Sequence, residues 1–198
     1  MTSAKPPLNS PSAISFMVIT LLCILIFLLP TQMQNGFLLS LNTLDSGYYW
    51  QLFTAHFAHS NMWHLGLNIT GLWLIWLLFS EVLSIKPMLF TLIACSAGLS
   101  FALVFFTDIH SYLGLSGTLH GLFGYALVRE LQYKRPSTFL LIIVAISKLA
   151  YEQFGGSVES TEALIGVSVA IDGHLWGAII GVLCGCVFII MPRIKKDA

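Results

Sequence analysis

Ser116 stands in Gly114-Leu115-Ser116-Gly117-Thr118-Leu119-His120-Gly121, a glycine-flanked serine at the head of an apolar, helix-like run. A serine hydroxyl is a weak nucleophile until a base removes its proton. A neutral imidazole can take that proton and later return it to a leaving amine. His174, at the head of the last apolar run, is the candidate base. Two bland roles compete for the serine motif: small residues that let membrane helices pack closely, and a helix N-cap at Ser116. His64 and Asn68 are four residues apart and share one helix face. Each can donate a hydrogen bond, which suits an oxyanion hole completed by backbone N–H groups at Ser116 and the helix start. Gly114 and Leu115, just before the serine, are assigned to the same oxyanion or substrate-binding edge. The alternative is that His64 and Asn68 only tie their helix to the loop before it.

Other polar groups in the apolar runs invite different chemistry. His56, His59 and His64 lack the His-Glu-x-x-His spacing and an accompanying carboxylate, so no metal and no cofactor is expected. Asp172 is two residues from His174, where a helical side chain faces elsewhere, and reads as a loop acid rather than a third member. Lys148 lies one turn before Glu152, and an i,i+4 ion pair or snorkelling is preferred to a catalytic role. Cys23, Cys95, Cys184 and Cys186 sit inside apolar runs as small packing residues. Gly117, Gly121 and Gly124, together with Gly177, Gly181 and Gly185, have the spacing of closely packed membrane helices. Such closeness is what a Ser116–His174 hydrogen bond needs.

The elements that must position these groups follow from composition. The chain has 198 residues, 57% hydrophobic and 9% charged, against roughly 25% charged in a soluble domain. Most of the surface must therefore face lipid. The formal net charge is zero, which gives no reason to expect nucleic-acid binding. Residues 1–12 read as a polar, disordered cytoplasmic tail, 13–192 as the membrane domain, and 193–198 as a basic cytoplasmic tail. Six spans are expected, near residues 13–33, 61–80, 87–107, 116–131, 137–154 and 164–191, since about 20 apolar residues cross a bilayer core. Residues 34–60, with Tyr48, Tyr49 and Trp50, read as a loop lying against the membrane. With both termini cytoplasmic, Lys5, Lys86, Arg129, Lys134, Arg135, Arg193, Lys195 and Lys196 all fall inside. Asp45, Asp108, Glu152, Glu159, Glu162 and Asp172 then fall outside. Ser116, His174, His64 and Asn68 come to one depth near the outer face. A transporter would instead want polar groups along a path near the midplane.

The sequence resembles the rhomboid intramembrane serine proteases over about residues 12–192. Trp50-Gln51-Leu52-Phe53-Thr54 followed by His59 resembles the family's Trp-Arg loop. His64-x-x-x-Asn68, Gly114-Leu115-Ser116-Gly117 and His174-x-x-Gly177-x-x-x-Gly181 match its second-helix, nucleophile and sixth-helix motifs. There are departures. Gln51 replaces the usual arginine, Gly173 a common alanine, and Trp176 a small residue. His120 stands where many rhomboids have a tyrosine stacked under the catalytic histidine. His120 can stack under His174, hydrogen-bond to it, or compete as base, with His174 preferred.

The resemblance implies an all-α, six-transmembrane-helix rhomboid-like bundle, an enzyme with a Ser116–His174 dyad, and supporting roles for His120, Gly117, Gly177 and Gly181. The motif Gly-Leu-Ser-Gly-x-Leu-His-Gly in a small core is similar to the rhombosortase subgroup. That likeness implies a bacterial inner membrane and a site on the periplasmic side. It also implies substrates that are exported proteins anchored by one C-terminal transmembrane helix, cut near a small-residue or Gly-rich motif for protein sorting. Two alternatives are a general rhomboid protease and an inactive rhomboid-like binder of transmembrane helices. The loop Gly155-Gly156-Ser157-Val158-Glu159 is expected to cap the site.

Overall fold

The structure, a computed structural model, describes residues 7–40, 42–107 and 111–190. Lys5, Asp108, Arg193, Lys195, Lys196 and the basic tail 193–198 lie outside the described residues. The first helix, α1 (Pro11–Phe27), begins with Pro at its first position, and the Ser10 hydroxyl accepts from Ala13 N–H at 3.3 Å. Helix therefore starts inside the stretch expected to be a tail. It also stops short of the expected Met33. Pro30 cannot continue the ladder, and the chain turns into a separate short helix, α2 (Thr31–Gln34). The Gln34 amide donates to the Phe27 and Leu29 carbonyls at 3.0 and 2.7 Å, satisfying groups that the end of α1 leaves open.

The expected loop is built of short ordered pieces. A two-residue strand, β1 (Leu39–Ser40), pairs antiparallel with β2 (Ser111–Tyr112), Leu39 opposite Tyr112. A single helical turn, α3 (Gln51–Thr54), follows. Buried Gln51 accepts from Thr43 Oγ1 at 2.6 Å and donates to the Gly36 carbonyl at 3.2 Å. A neutral amide thus holds this loop together where the resemblance leads one to expect a charge.

Beyond it lie α4 (Met62–Phe79), α5 (Ile85–Phe106), α6 (Ser116–Glu130), α7 (Pro136–Gly155), α8 (Glu159–Ile165) and α9 (Ile171–Ile190). Four of these, α4, α5, α7 and α9, are long and apolar enough to cross a membrane. The apolar α1 has 17 residues and α6 has 15. The last expected span divides in two: Gly166 takes a left-handed conformation (φ 74°) that ends α8, and α9 starts afresh at Ile171.

The helix α6 is central and touches α4, α5, α7 and α9, most extensively α9. Leu115, Leu122 and Tyr125 are fully buried there with Phe16, Leu72 and Met88. Outward faces are apolar, as with Leu140, Ile143, Val144 and Ile146 on α7, which suits lipid rather than water. At one end of the bundle Arg135 bonds Glu81 at 2.7 Å and Glu130 at 3.4 Å, tying the α4–α5 turn to the start of α7.

Candidate active site

Glycine sets the distance between α6 and α9. A Cβ on Gly177 or Gly181 would overlap the carbonyl oxygen of Gly117 or Gly121 respectively. In return, a Cβ on Gly121 would come within 2.8 Å of the Gly177 oxygen. The two backbones therefore touch, as the spacing of small residues leads one to expect. That contact carries the first turn of α9 to the first turn of α6.

Ser116 is the first residue of α6, after an N-cap position, Leu115, that makes no side-chain cap. The Ser116 hydroxyl lies 3.0 Å from His174 Nε2. On the other edge of the ring, His174 Nδ1 lies 3.0 Å from each oxygen of Glu152, on α7. The same carboxylate accepts from Lys148 Nζ at 2.7 Å. The expected i,i+4 ion pair is therefore present, but its carboxylate also meets the imidazole. Asp172, expected as a loop acid, lies instead within the first turn of α9. The carboxylate at the ring comes from another helix.

His120 stacks on His174, with ring centroids 4.1 Å apart and planes 20° apart. Its Nδ1–H donates to the Ser116 carbonyl at 2.8 Å. Of the three arrangements the sequence leaves open for His120, this is the stacked one, and the hydroxyl of Ser116 faces His174 instead. His120, Glu152 and His174 together offer ligand atoms within 4.8 Å of one another. Each of the three already has a hydrogen-bond partner.

The opposite wall comes from α4 and the approach to α6. Asn61 caps α4, its Oδ1 accepting from His64 N–H at 2.9 Å. This sets His64 and Asn68 on the face towards Gly114. Gly114 has φ 116°, and a Cβ there would fall 2.6 Å from His64 Nε2 and 3.6 Å from Asn68 Nδ2. Only glycine combines that backbone with that closeness. Asn68 Nδ2 is buried and has no hydrogen-bond partner among the described residues. An unpaired buried donor is costly, and this one is free to meet an acceptor. Ser60 Oγ lies 3.0 Å from His64 Nδ1 and gives its one proton to the Ile165 carbonyl at 2.6 Å, so at the ring it accepts from Nδ1–H. A neutral ring donating there carries its lone pair on Nε2, towards Gly114.

Two supports were not apparent from sequence. His56 is fully buried: its Nε2 lies 3.0 Å from both the Ser96 carbonyl and Ser100 Oγ, and its Nδ1 accepts from Thr118 Oγ1 at 2.9 Å. Burial pushes this imidazole down to about 4, so it stays neutral and braces α6 against α5. Tyr112, on β2, donates to the Gly114 carbonyl at 2.6 Å. The histidine was visible only as one of three in a row, and the partners that define its role are on other elements.

The expected cap loop leads into α8, whose end is tied to the head of α4. Ser60 Oγ donates to the Ile165 carbonyl at 2.6 Å, and Asn61 Nδ2 to the Leu164 carbonyl at 3.0 Å. Glu162 accepts from Ser157 Oγ at 2.7 Å and Val169 N–H at 2.8 Å. Those donors hold its carboxyl below the ordinary carboxylate range. Trp176, on the first turns of α9, lies against Phe106 with centroids 5.8 Å apart, so the bulky residue packs on α5 and away from the α6 contact. A family model described as the rhomboid domain matches residues 46–191. No curated protein matches the sequence.

Proposed function

Because the chain belongs to the rhomboid family of intramembrane serine proteases, we propose that Ser116 is its nucleophile and His174 its general base and acid. The hydrogen bond of 3.0 Å from the hydroxyl to Nε2 carries this reading. Ser116 Oγ adds to the scissile carbonyl carbon while its proton passes to Nε2. The carbonyl oxygen becomes an oxyanion, met by the Asn68 Nδ2–H and backbone N–H groups at the head of α6, with His64 lining the same wall. Nε2–H then protonates the departing amine, and water hydrolyses the acyl-enzyme by the same proton path. His120 supports the ring of His174 from beneath, and Gly117, Gly177 and Gly181 keep the two helices close.

The chain acts inside the bilayer as a multi-pass protein. We place α1, α4, α5, α6, α7 and α9 as six spans with both termini cytoplasmic, on the strength of the basic residues at one end. A helix of 15 residues is about 22 Å long, shorter than a hydrocarbon core of about 30 Å. Ser116 then lies below the outer face, and substrate must bring an unwound peptide bond down to it. A transmembrane helix hides its peptide bonds in internal hydrogen bonds, and glycines ease their release. This favours substrates with a small-residue or Gly-rich motif beside a single C-terminal transmembrane helix. We therefore read the chain as rhombosortase-like, acting in a bacterial inner membrane with its site towards the periplasm and serving protein sorting. The latch from Ser60 and Asn61 to the end of α8 must release to admit such a segment.

The test is co-expression of a single-span reporter carrying a Gly-rich motif with the wild type and with Ser116→Ala. Cleavage is expected with the first and absent with the second. Cleavage that persists in the variant removes the protease reading of this site. Replacing the reporter's glycines by leucines abolishes cleavage on the rhombosortase-like reading. Retained cleavage assigns the chain to general rhomboid substrates.

A further inference from the structure

The outward face of α7 is apolar, yet its two buried residues are both polar, Thr138 and Glu152. A carboxylate buried in an apolar helix is costly unless paired. Glu152 is paired on both sides, with Lys148 Nζ at 2.7 Å and His174 Nδ1 at 3.0 Å. An ionised carboxylate can only accept, so the proton of this contact belongs to Nδ1. The neutral ring then presents its lone pair at Nε2, the atom beside Ser116 Oγ.

We infer that Glu152 is a positioning residue for the serine–histidine pair, acting through His174 and itself held by Lys148; this rests on the reading of Ser116 as nucleophile. The stacked ring of His120 defines the plane of His174, and Glu152 defines its rotation and tautomer. Proton transfer from Ser116 creates an imidazolium against a carboxylate, where the new charge is met by one already in place. The competing role is docking alone. Gln153 Nε2 donates to the Ile171 carbonyl at 3.3 Å and already joins the end of α7 to α9, so docking does not depend on Glu152 alone.

The experiment uses the full chain in detergent and a biotinylated fluorophosphonate, which needs no knowledge of the substrate. Ser116 Oγ attacks phosphorus, its proton passes to His174 Nε2, and fluoride leaves. Labelling rates are followed across pH for the wild type, Ser116→Ala, Glu152→Gln and Glu152→Asp, with thermal unfolding as the check on folding. Nitrogen NMR of 15N-histidine protein, with His174→Ala for assignment, reads the tautomer. Glu152→Gln is expected to label roughly 10²-fold or more slowly, as when the acid of a serine–histidine–acid set is made an amide. Its pH profile is expected to be displaced and the His174 tautomer to be mixed. Glu152→Asp, which withdraws the carboxylate by one methylene, is expected to slow labelling less and to keep the Nδ1–H tautomer. If the glutamine variant does not fold, the aspartate variant carries the test, and a wild-type rate and profile there overturn the inference. Equal labelling by Glu152→Gln overturns it too, as does a fall by one factor at every pH with the tautomer unchanged. Labelling that survives Ser116→Ala is a different failure, that of the nucleophile assignment itself.

Discussion

His120 separates two services a second imidazole can offer beside a base. Its Nδ1–H is engaged with the Ser116 carbonyl and its face lies on His174, so the ring works as a platform. His120→Tyr keeps an aromatic face and is expected to cleave the reporter within about tenfold of wild type, general acid–base roles being worth about 10²–10⁴. His120→Ala is expected to lose more. A tyrosine variant as poor as the alanine one would assign His120 to proton transfer. Asn68 belongs to the other wall. As the proposed oxyanion donor its Nδ2 has no partner among the described residues, so Asn68→Ala is expected to lower turnover by about 10²–10³ with little change in KM. Wild-type turnover would remove Asn68 from the oxyanion site. Ser116, His174, His64 and Asn68 were legible because their types and intervals have few other uses in an apolar chain. Glu152 was legible only as a neighbour of Lys148, since its partner His174 is on a different helix.

At the scale of elements, the contact between α6 and α9 governs the serine–histidine distance. Gly181→Ala places a methyl group inside the Gly121 carbonyl oxygen, and neither backbone can yield without moving its helix. Overpacking of this kind costs about 1–3 kcal/mol. The variant is expected to lose thermal stability in detergent and reporter cleavage together. Gly36→Ala, with nothing within 4 Å of its Cβ, is the comparison and is expected to be neutral. Cleavage unchanged in Gly181→Ala would mean that the helices can separate without loss. The glycine intervals announced that two helices meet closely, and Pro30 announced a break. The pairing of Gly117 with Gly177 and of Gly121 with Gly181 depends on how the helices cross. The short strands β1 and β2 could not be read either, because two residues are too few for a period.

For the whole molecule, the proposed orientation puts the short α6 with its serine end outward. A phosphatase that is active only outside the cytoplasm, fused after Arg135, is expected to be inactive; fused after Gly156 it is expected to be active. The reverse result would invert the arrangement and put the site on the cytoplasmic side. Composition by itself determined that this chain lives in lipid, because 9% charged residues cannot clothe a water-facing surface. Local pattern determined the order of the apolar helices and the small set of side chains able to do chemistry, since helix formation and hydrophobicity are properties of neighbouring residues. Only the tertiary structure decided that Glu152 and not Asp172 meets His174, that His120 stacks, that Asn68 Nδ2 is left without a partner among the described residues, and that α8 is latched to the head of α4. Each of these joins residues distant in sequence through helix crossings, and a crossing is fixed by packing along a whole face rather than by any interval within the chain.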